Sequence, residues 1–360
     1  MRQTQNADSE SRISLTIALP AYNLATLIGT CFQSLLDAHA NKTWIEILVV
    51  NDGSQDRTSD VVRQWYDRLP NIRLIEQNNQ GLAQTRNVLI AEAKGTYVWF
   101  VDPDDTVTHD SIDTLNRELT LDRLDEKNGE LIDLLLFGFT QWGGAEASQM
   151  IPIEPVVPAQ ISNDLMQKAQ TPVEGIRLPA AVNVFPSAWS AVVRRALFTE
   201  NNITYPRNIW YEDLSVKAQL VLSAQRLIMR EYSLYNYIDR PGSIMNTGDL
   251  EKNLDIIIAL QHVRRFTHSL VRTRDLTATE RRTVYDAVDF LTINQLMLSS
   301  AQRIWQIDPQ ARQLCVLREN LRRMVPQWYR NPLFTQMPIK RRALVTANAF
   351  GWHGANKFVS

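Results

Sequence analysis

Three carboxylates follow directly after an apolar run in the stretch YVWFVDPDDTV, residues 97–107. Asp102, Asp104 and Asp105 fall within four positions, and Pro103 separates the first two. Carboxylates spaced this closely repel one another unless a cation lies between them. Oxygen ligands select magnesium or manganese, which typically bind one or two protein carboxylates together with substrate phosphates. The stretch therefore predicts a divalent-metal site with Asp102 and Asp104 as ligands. The alternative is a solvated turn in which Asp105 starts the next helix.

Polar motifs follow three further apolar runs: PAYN at 20–23, NDGSQD at 51–56 and QNNQGLAQTRN at 77–87. In an open parallel sheet, ligands bind outside the carboxyl ends of the strands, so four such motifs on one edge indicate a single site. Asp52 could accept a hydrogen bond from a base or a sugar, and Arg86 could meet a carboxylate or a phosphate. The alternatives are a capping aspartate and a surface arginine.

The elements that must position these motifs can be predicted from the apolar spacing. Continuous apolar strands separated by helical patterns predict an α/β fold with a mostly parallel sheet flanked by helices. Residues 143–187 indicate irregular structure, and the patterns beyond residue 249 are helical to about residue 325, which predicts a helical C-terminal region. The predicted strands cover 14–20, 44–52, 71–77, 96–102 and 133–139, with one or two short strands in 227–238. The predicted helices cover 24–39, a segment after Asp56, 81–94, 194–201 and 211–224.

The chain of 360 residues is long enough for two domains, or for one domain with a long appendage. The change of pattern places boundaries near residues 125 and 248. We expect a nucleotide-sugar-binding half over 1–125, an acceptor-binding part of the same catalytic domain over 126–248, and a helical region with a basic tail over 249–360.

Taken in order and at their intervals, PAYN, VVNDGSQDRT, NNQGLAQTRN and WFVDPDD resemble the family 2 glycosyltransferases. These are inverting enzymes with the nucleotide-sugar-binding fold called type A, and the resemblance covers about residues 13–125. It implies a nucleotide diphosphate sugar donor, most often a UDP-sugar, and a divalent metal, manganese or magnesium. It also implies roles for six residues in this chain: Pro20, Tyr22 and Asp52 around the base with Arg86 beside them, Asp102 at the ribose and metal, and Asp104 as metal ligand.

A weaker resemblance covers residues 188–218, which look like the acceptor-side segment of bacterial members that build surface polysaccharides. It implies that Glu212 and Asp213 open a helix and that Asp213 is the base that takes the proton of the acceptor hydroxyl. The alternative for this pair is helix capping. Trp189 and Tyr211 could stack on an acceptor sugar, or they could be buried core residues.

Two further details of the resemblance bear on the site. Residues 235–246 resemble a segment that closes over the donor, with Arg240 and Ser243 as candidate diphosphate contacts. Many relatives carry a lysine after the WS dipeptide, where this chain has Ala191. Whatever that lysine does in the relatives, Ala191 cannot do here.

Composition narrows the possible partners. The formal net charge is -1, which does not favour nucleic acid, and the two cysteines lack metal-like spacing and fit a reducing compartment. The N-terminus carries no signal peptide pattern, and no apolar run is long enough to predict a transmembrane helix. Residues 311–360 hold nine Lys or Arg and one Glu, a net +8, which leaves -9 for the rest. Basic residues interleaved with aromatic ones predict either a segment on an anionic membrane or a helical domain with a solvated basic face.

The sequence thus predicts a metal-dependent inverting glycosyltransferase. We expect it to act at the cytoplasmic face, peripheral to the membrane, on a lipid-linked or a lipopolysaccharide- or capsule-type glycan. A nucleotidyltransferase should carry a glycine- and lysine-rich loop after the first strand, and PAYNLATLIG has no Lys or Arg. A catalytically inactive sugar-binding or scaffold protein on the same fold remains an alternative, because Ala191 departs from the pattern.

Overall fold

The computed structural model describes residues 14–124, 131–142, 186–240 and 248–351. Eight strands of these residues form one mixed sheet. The strands are β1 (Leu15–Ala21), β2 (Ile45–Asn51), β3 (Ile72–Glu76), β4 (Tyr97–Phe100), β5 (Thr106–Val107), β6 (Leu134–Trp142), β7 (Ala191–Arg194) and β8 (Leu227–Ile238). Their order across the sheet is β3-β2-β1-β4-β7-β6-β8-β5.

The first four strands run parallel: β1 pairs with β2 and β4, and β2 pairs with β3. Their carboxyl ends therefore lie on the same edge of the sheet, which we call the rim. Beyond β4 the strand β7 is antiparallel to its neighbours, whereas β6 and β8 are parallel to each other. The predicted α/β fold with a mostly parallel sheet is confirmed, and the segment 227–238 forms a single long strand.

Helices cover the sheet and form the C-terminal region. They are α1 (Ile28–Asp37), α2 (Thr58–Arg63), α3 (Leu82–Glu92), α4 (Ser111–Leu124), α5 (Ala196–Glu200), α6 (Glu212–Ser223), α7 (Asp255–Thr273), α8 (Ala278–Asn294), α9 (Ala301–Ile307), α10 (Gln313–Met324), α11 (Pro332–Thr335) and α12 (Ile339–Phe350). A π-helical turn, Gln295–Ser300, joins α8 to α9. None of the described helices is both long and apolar enough to cross a membrane.

The helix predicted over 24–39 begins only at Ile28, and side chains after β2 explain the delay. The Leu24 amide donates to Thr58 Oγ1 at 2.8 Å, and the Ala25 amide donates to Asp56 Oδ2 at 3.0 Å. These bonds hold the chain after β1 as a loop on the rim instead of the first turn of α1. Most of the segment 143–187 that was predicted to be irregular lies outside the described residues.

Strand alternation separates the apolar side chains of the sheet into two clusters. Ile17 of β1 packs in the cluster on the α1 face, whereas Ala18 packs in the cluster on the other face. The second cluster continues through α6 into the C-terminal helices, where Leu260 and Val345 are fully buried. Helix α6 therefore lies between the sheet and the C-terminal helices.

The basic tail belongs to this second cluster. Trp328, Phe334 and Val345 are buried in it, and helices extend to Phe350 rather than ending near residue 325. Exposed basic residues such as Lys340 lie on the outer surface of the same segment. The charged face is thus the outside of a packed helical region, and deleting the segment would expose core.

Candidate active site

Asp52 fixes the loop between β3 and α3 at the rim. It follows β2, is 3% exposed, and accepts hydrogen bonds from Gln77 Nε2 at 2.7 Å and from the amides of Gln80 and Gly81 at 2.8 Å each. Gly53 has φ +72°, and a Cβ there would lie 2.8 Å from the Asn79 amide nitrogen. If Asp52 contacts the nucleotide base as predicted, it must do so while it also accepts these three hydrogen bonds from the protein.

The other residues that the resemblance places around the nucleotide base lie next to Asp52. Pro20 is buried in β1, and Tyr22 follows that strand with its side chain exposed. The Asp52 amide donates to Ala21 O at 2.8 Å, so the two strand ends are joined at this point. The structure brings Pro20, Tyr22 and Asp52 together on the rim, as the sequence predicts.

Arg86 lies on α3 and is only 2% exposed, so the interpretation as a surface arginine is wrong. Its Nη1 donates to Glu212 Oε1 at 3.0 Å and contacts Asp213 Oδ1, and its Nη2 lies 3.4 Å from Asp102 Oδ1. Within the described residues its Nε has no hydrogen-bond partner. We call these four side chains the arginine clamp. The clamp joins the carboxyl end of β4 to the first turn of α6.

Burial and charge oppose each other inside the clamp. Burial disfavours the charged form of Arg86, but the carboxylates of Asp213, Asp102 and Glu212 outweigh it and raise the pKa of Arg86. Burial raises the pKa of Asp213 to about 6 although Arg86 lowers it, and the pKa of Asp102 is raised to about 6 for the same reason. The arginine stays charged, and both aspartates are ionised at neutral pH with an elevated proton affinity.

The aspartates of the DPDD motif form one acidic cluster. Asp102, Asp104 and Asp105 each offer a carboxylate oxygen, and these oxygens lie within 4.8 Å of one another. Asp105 is buried and accepts from Tyr235 Oη at 2.7 Å and from the Ile238 amide at 2.8 Å. Burial raises the pKa of Asp105 to about 8.

Asp105 therefore attaches β8 to the rim and does not start a helix, since α4 begins at Ser111. Asp102 and Asp104 are more exposed, at 26% and 34% of their side chains, and remain available to a ligand. Arg240 contacts Asp104 directly, so a predicted diphosphate contact meets a predicted metal ligand. Ser243, the other predicted diphosphate contact, lies outside the described residues.

Glu212 and Asp213 open α6, and Asp213 Oδ2 accepts from the Ala188 amide at 3.2 Å. The preceding Tyr211 has φ +65°, in the left-handed region that costs a non-glycine residue about 1–3 kcal/mol. Tyr211 Oη donates to Asn253 Oδ1 at 2.8 Å and accepts from Arg303 Nη1 at 3.1 Å. These contacts with the C-terminal helices hold the strained residue.

Trp189 is a core residue, which corrects its predicted stacking on an acceptor sugar. Its side chain is 2% exposed, and its ring stacks on Tyr235 with centroids 4.4 Å apart. Phe139 meets it edge-on at 4.7 Å. A ring covered in this way has no face to offer a sugar.

One buried group near the site was missed by the sequence analysis. Lys217 lies one turn after Asp213 on α6, is 5% exposed, and donates from Nζ to Ser190 Oγ at 2.9 Å. Burial lowers its pKa to about 7. The only feature of the sequence that could have indicated this buried amine is a lysine among the apolar residues of a predicted helix.

A mostly parallel sheet with acidic and basic groups gathered at the carboxyl ends of its strands is the architecture of a type A glycosyltransferase. Residues 16–125 match the model of the family described as glycosyl transferase family 2. The matched segment, from β1 through α4, therefore carries a domain of this family.

Two relatives extend the match beyond the first half. The chain is 29% identical over 231 residues to the uncharacterized glycosyltransferase EpsJ of Bacillus subtilis, which covers 64% of this chain and 62% of EpsJ. It is 28% identical over 228 residues to the uncharacterized glycosyltransferase YibD of Escherichia coli, covering 62% of this chain and 60% of YibD. The matches thus span less than two thirds of either relative.

Among solved structures, S. aureus TarS 1–349 in complex with UDP-GlcNAc superposes with a TM-score of 0.68. The superposition covers 96% of this chain and 90% of that one, at 17% sequence identity. At this identity the likeness is one of fold, and it includes the C-terminal helical region.

Replacing Arg86 by Met tests the clamp. Asp102, Asp213 and Glu212 would then face one another without a buried cation, and breaking a buried pair in this way costs roughly 3–5 kcal/mol. The folded-state pKa values of Asp102 and Asp213 would lie further above their unfolded values of about 4, so stability would fall as the pH rises through that window. Urea unfolding should therefore show a smaller loss at pH 5 than at pH 8.

The matched control is Arg57→Met, since the Arg57 side chain is 78% exposed and meets only Asp60 among the described carboxylates. It should change the free energy of unfolding little at either pH. An Arg86→Met loss that is equal at both pH values would contradict the clamp as a charge-balancing unit.

Proposed function

We propose that this protein is a metal-dependent inverting glycosyltransferase that moves a sugar from a nucleotide diphosphate donor to a glycan acceptor. The observation that carries the proposal is the arginine clamp. Through Arg86 the acidic motif that ends β4, which would face the donor, meets the Glu212–Asp213 pair, which would face the acceptor. Both halves of a transfer site thus share one edge of the sheet.

The donor is a UDP-sugar in this proposal. Tyr22 offers an exposed aromatic face beside Asp52, in a position where a base can stack and form hydrogen bonds. The fold resembles that of TarS, which was solved with UDP-GlcNAc, and this likeness supports a uridine nucleotide. The identity of the sugar would be set by contacts in the rest of the pocket.

Asp102 and Asp104 would hold the divalent metal. Their oxygens fit a hard cation such as manganese or magnesium, and Asp105 is already engaged by Tyr235 and by the Ile238 amide. When bound, the ion would neutralise charge on the diphosphate. Arg240 and Asp104 pair with each other in the structure, so binding of donor and metal would give each a new partner of opposite charge.

Asp213 is the proposed base. The acceptor oxygen attacks the anomeric carbon while the bond from that carbon to the diphosphate oxygen breaks, and Asp213 takes the hydroxyl proton. A carboxylate whose pKa is raised to about 6 is ionised at neutral pH, yet binds a proton more tightly than an exposed aspartate. The leaving diphosphate can depart as an anion because Arg240 offers a positive charge close to it.

The acceptor in this proposal is a lipid-linked, lipopolysaccharide- or capsule-type glycan, reached by peripheral binding to the cytoplasmic face of a membrane. Helix α12 supplies the surface for this binding. Ile339, Ala343 and Phe350 lie on one exposed stripe at helical spacing, flanked by the exposed Lys340. An apolar stripe beside positive charge fits an anionic lipid surface.

The first prediction concerns the metal. A nucleotide sugar at 100 times its dissociation constant should stabilise the folded protein by roughly 2.7 kcal/mol, which a thermal-shift screen with and without manganese detects. Asp104→Ala should abolish the manganese-dependent part of the shift and leave the fold intact, because Asp104 lies at the rim. Asp110→Ala, at a side chain that is 86% exposed, should keep the full shift. A full manganese-dependent shift in Asp104→Ala would refute the metal role of DPDD.

The second prediction separates the base from its neighbour. Asp213→Asn and Glu212→Gln each remove one negative charge from Arg86, so they disturb the clamp similarly. Only Asp213→Asn should lower single-turnover transfer by roughly 10²–10⁴, the usual contribution of a positioned base. Donor binding in the thermal-shift assay should survive in both variants.

Transfer by Asp213→Asn within a few-fold of wild type would remove Asp213 from the mechanism. A larger loss in Glu212→Gln would do the same. Donor binding without turnover in the wild-type protein would favour the inactive sugar-binding alternative.

The third prediction concerns the membrane surface. Charge reversal of two basic residues, Lys340→Glu with Arg341→Glu, should weaken binding to anionic vesicles at least about tenfold, given roughly 1 kcal/mol per basic residue near such a surface. Wild-type binding should also fall as salt rises. The control reverses Arg281 and Arg282 on α8, which are also exposed. Equal vesicle binding by the two double variants would contradict the assignment of α12 to the membrane.

A further inference from the structure

Lys217 is a buried amine that the proposed reaction does not use. It lies on α6, four residues after Asp213, and its side chain is 5% exposed. Burying an ammonium group costs free energy unless its charge and its donors are used. The contacts of Lys217 should therefore show what this group does.

The ammonium group binds the turn that precedes β7. Nζ donates to Ser190 Oγ at 2.9 Å and lies 3.3 Å from Ser187 O. Ser190 Oγ in turn donates to Ser187 O at 2.9 Å. Lys217 thus fixes both ends of the turn 187–190 against the side of α6.

The same turn supports the proposed base. The Ala188 amide, between the two residues that Lys217 holds, donates to Asp213 Oδ2 at 3.2 Å. The chain therefore closes a ring of contacts from Asp213 through the turn to Lys217 and back along one helical turn of α6. Movement of the turn would release Oδ2 and let the carboxylate rotate.

Asp213 also lies in a field of several charges. Arg86 of α3 contacts it directly and favours its ionised form, whereas Glu212 on its own helix opposes ionisation. Its charge is also felt by Asp102 after β4 and by Tyr205 before α6. Lys217 is a second cation that favours the ionised form of the Asp213 carboxylate.

We propose that Lys217 is a positioning residue for Asp213, which keeps the carboxylate oriented through the turn 187–190 and helps to keep it ionised. This inference rests on the proposed role of Asp213 as base. Lys217 does not touch the reacting atoms. Its hydrogen bonds and its charge have separate effects, so they can be tested separately.

Two variants separate these effects. Lys217→Met removes both the hydrogen bonds and the charge while keeping a long apolar stem, whereas Lys217→Gln keeps a donor for Ser190 Oγ without the charge. Gln219→Met is the control on the same helix, because among the described residues the Gln219 side chain bonds only to Ser215 of α6. The measurements are kcat and KM for the donor across pH, together with thermal unfolding.

Removing a nearby positive charge raises the pKa of a carboxylate. The acidic limb of the kcat profile should therefore move upward by roughly one pH unit in both Lys217 variants and stay in place in Gln219→Met. The donor KM should stay near its wild-type value, and Lys217→Gln should unfold closer to wild type than Lys217→Met. Loss of stability with an unmoved acidic limb would overturn the proposal and leave Lys217 as a structural residue.

A double-mutant cycle tests whether the effect passes through Asp213. In an Asp213→Asn background, Lys217→Met should change the remaining turnover little, since coupled residues are not additive. A full additive loss would overturn the proposal.

A last measurement is independent of turnover. Carboxyl ¹³C NMR, with the Asp213 signal assigned from Asp213→Asn, should show a higher pKa for Asp213 in Lys217→Met than in wild type, and an equal pKa would overturn the proposal. If the wild-type protein transferred no sugar, the proposed function would fail, while this titration would still decide whether Lys217 controls Asp213.

Discussion

The site depends on one buried cation that is shared by three carboxylates. Arg86 is almost fully covered, and it can remain charged there only because Asp102, Glu212 and Asp213 surround it. The three carboxylates depend on Arg86 in turn, because their negative charges would repel one another at this distance without the cation. Residues far apart in the sequence are therefore forced to one point, and this point sets the position of α6 relative to the sheet.

The positions of the polar residues on the rim could be predicted from the sequence, because they depend on local patterns. Each apolar run ends in a polar turn, so Asp52, Asp102 and Asp104 could be placed at strand ends from spacing alone. The partners could not be predicted, because Arg86 and Asp213 are 127 positions apart and no local pattern links them. The role of Asp105 could not be predicted for a similar reason, since its partner Tyr235 is 130 positions away.

The burial of individual side chains was the other property that the local pattern could not predict. Trp189 lies in a segment whose resemblance pointed to an acceptor site, yet its ring packs between aromatic residues of β6 and β8. Ala191 stands where many relatives carry a lysine, and the sequence offered no residue in its place. Lys217 reaches this point from α6 and bonds Ser190, the residue before Ala191, so an amine lies beside the position from another element.

The C-terminal helices complete the site although they contribute none of its proposed chemistry. Asn253 and Arg303 hold Tyr211 in a backbone conformation that a tyrosine rarely adopts, and the Trp210 amide donates to Asp255 Oδ2 at 2.9 Å. These contacts fix the entry into α6 from one side, while Arg86 fixes its first turn from the other. A helix held at both points can keep a carboxylate in one orientation. The helical region also shares a continuous apolar core with the sheet, so the two supports of α6 belong to one packed unit.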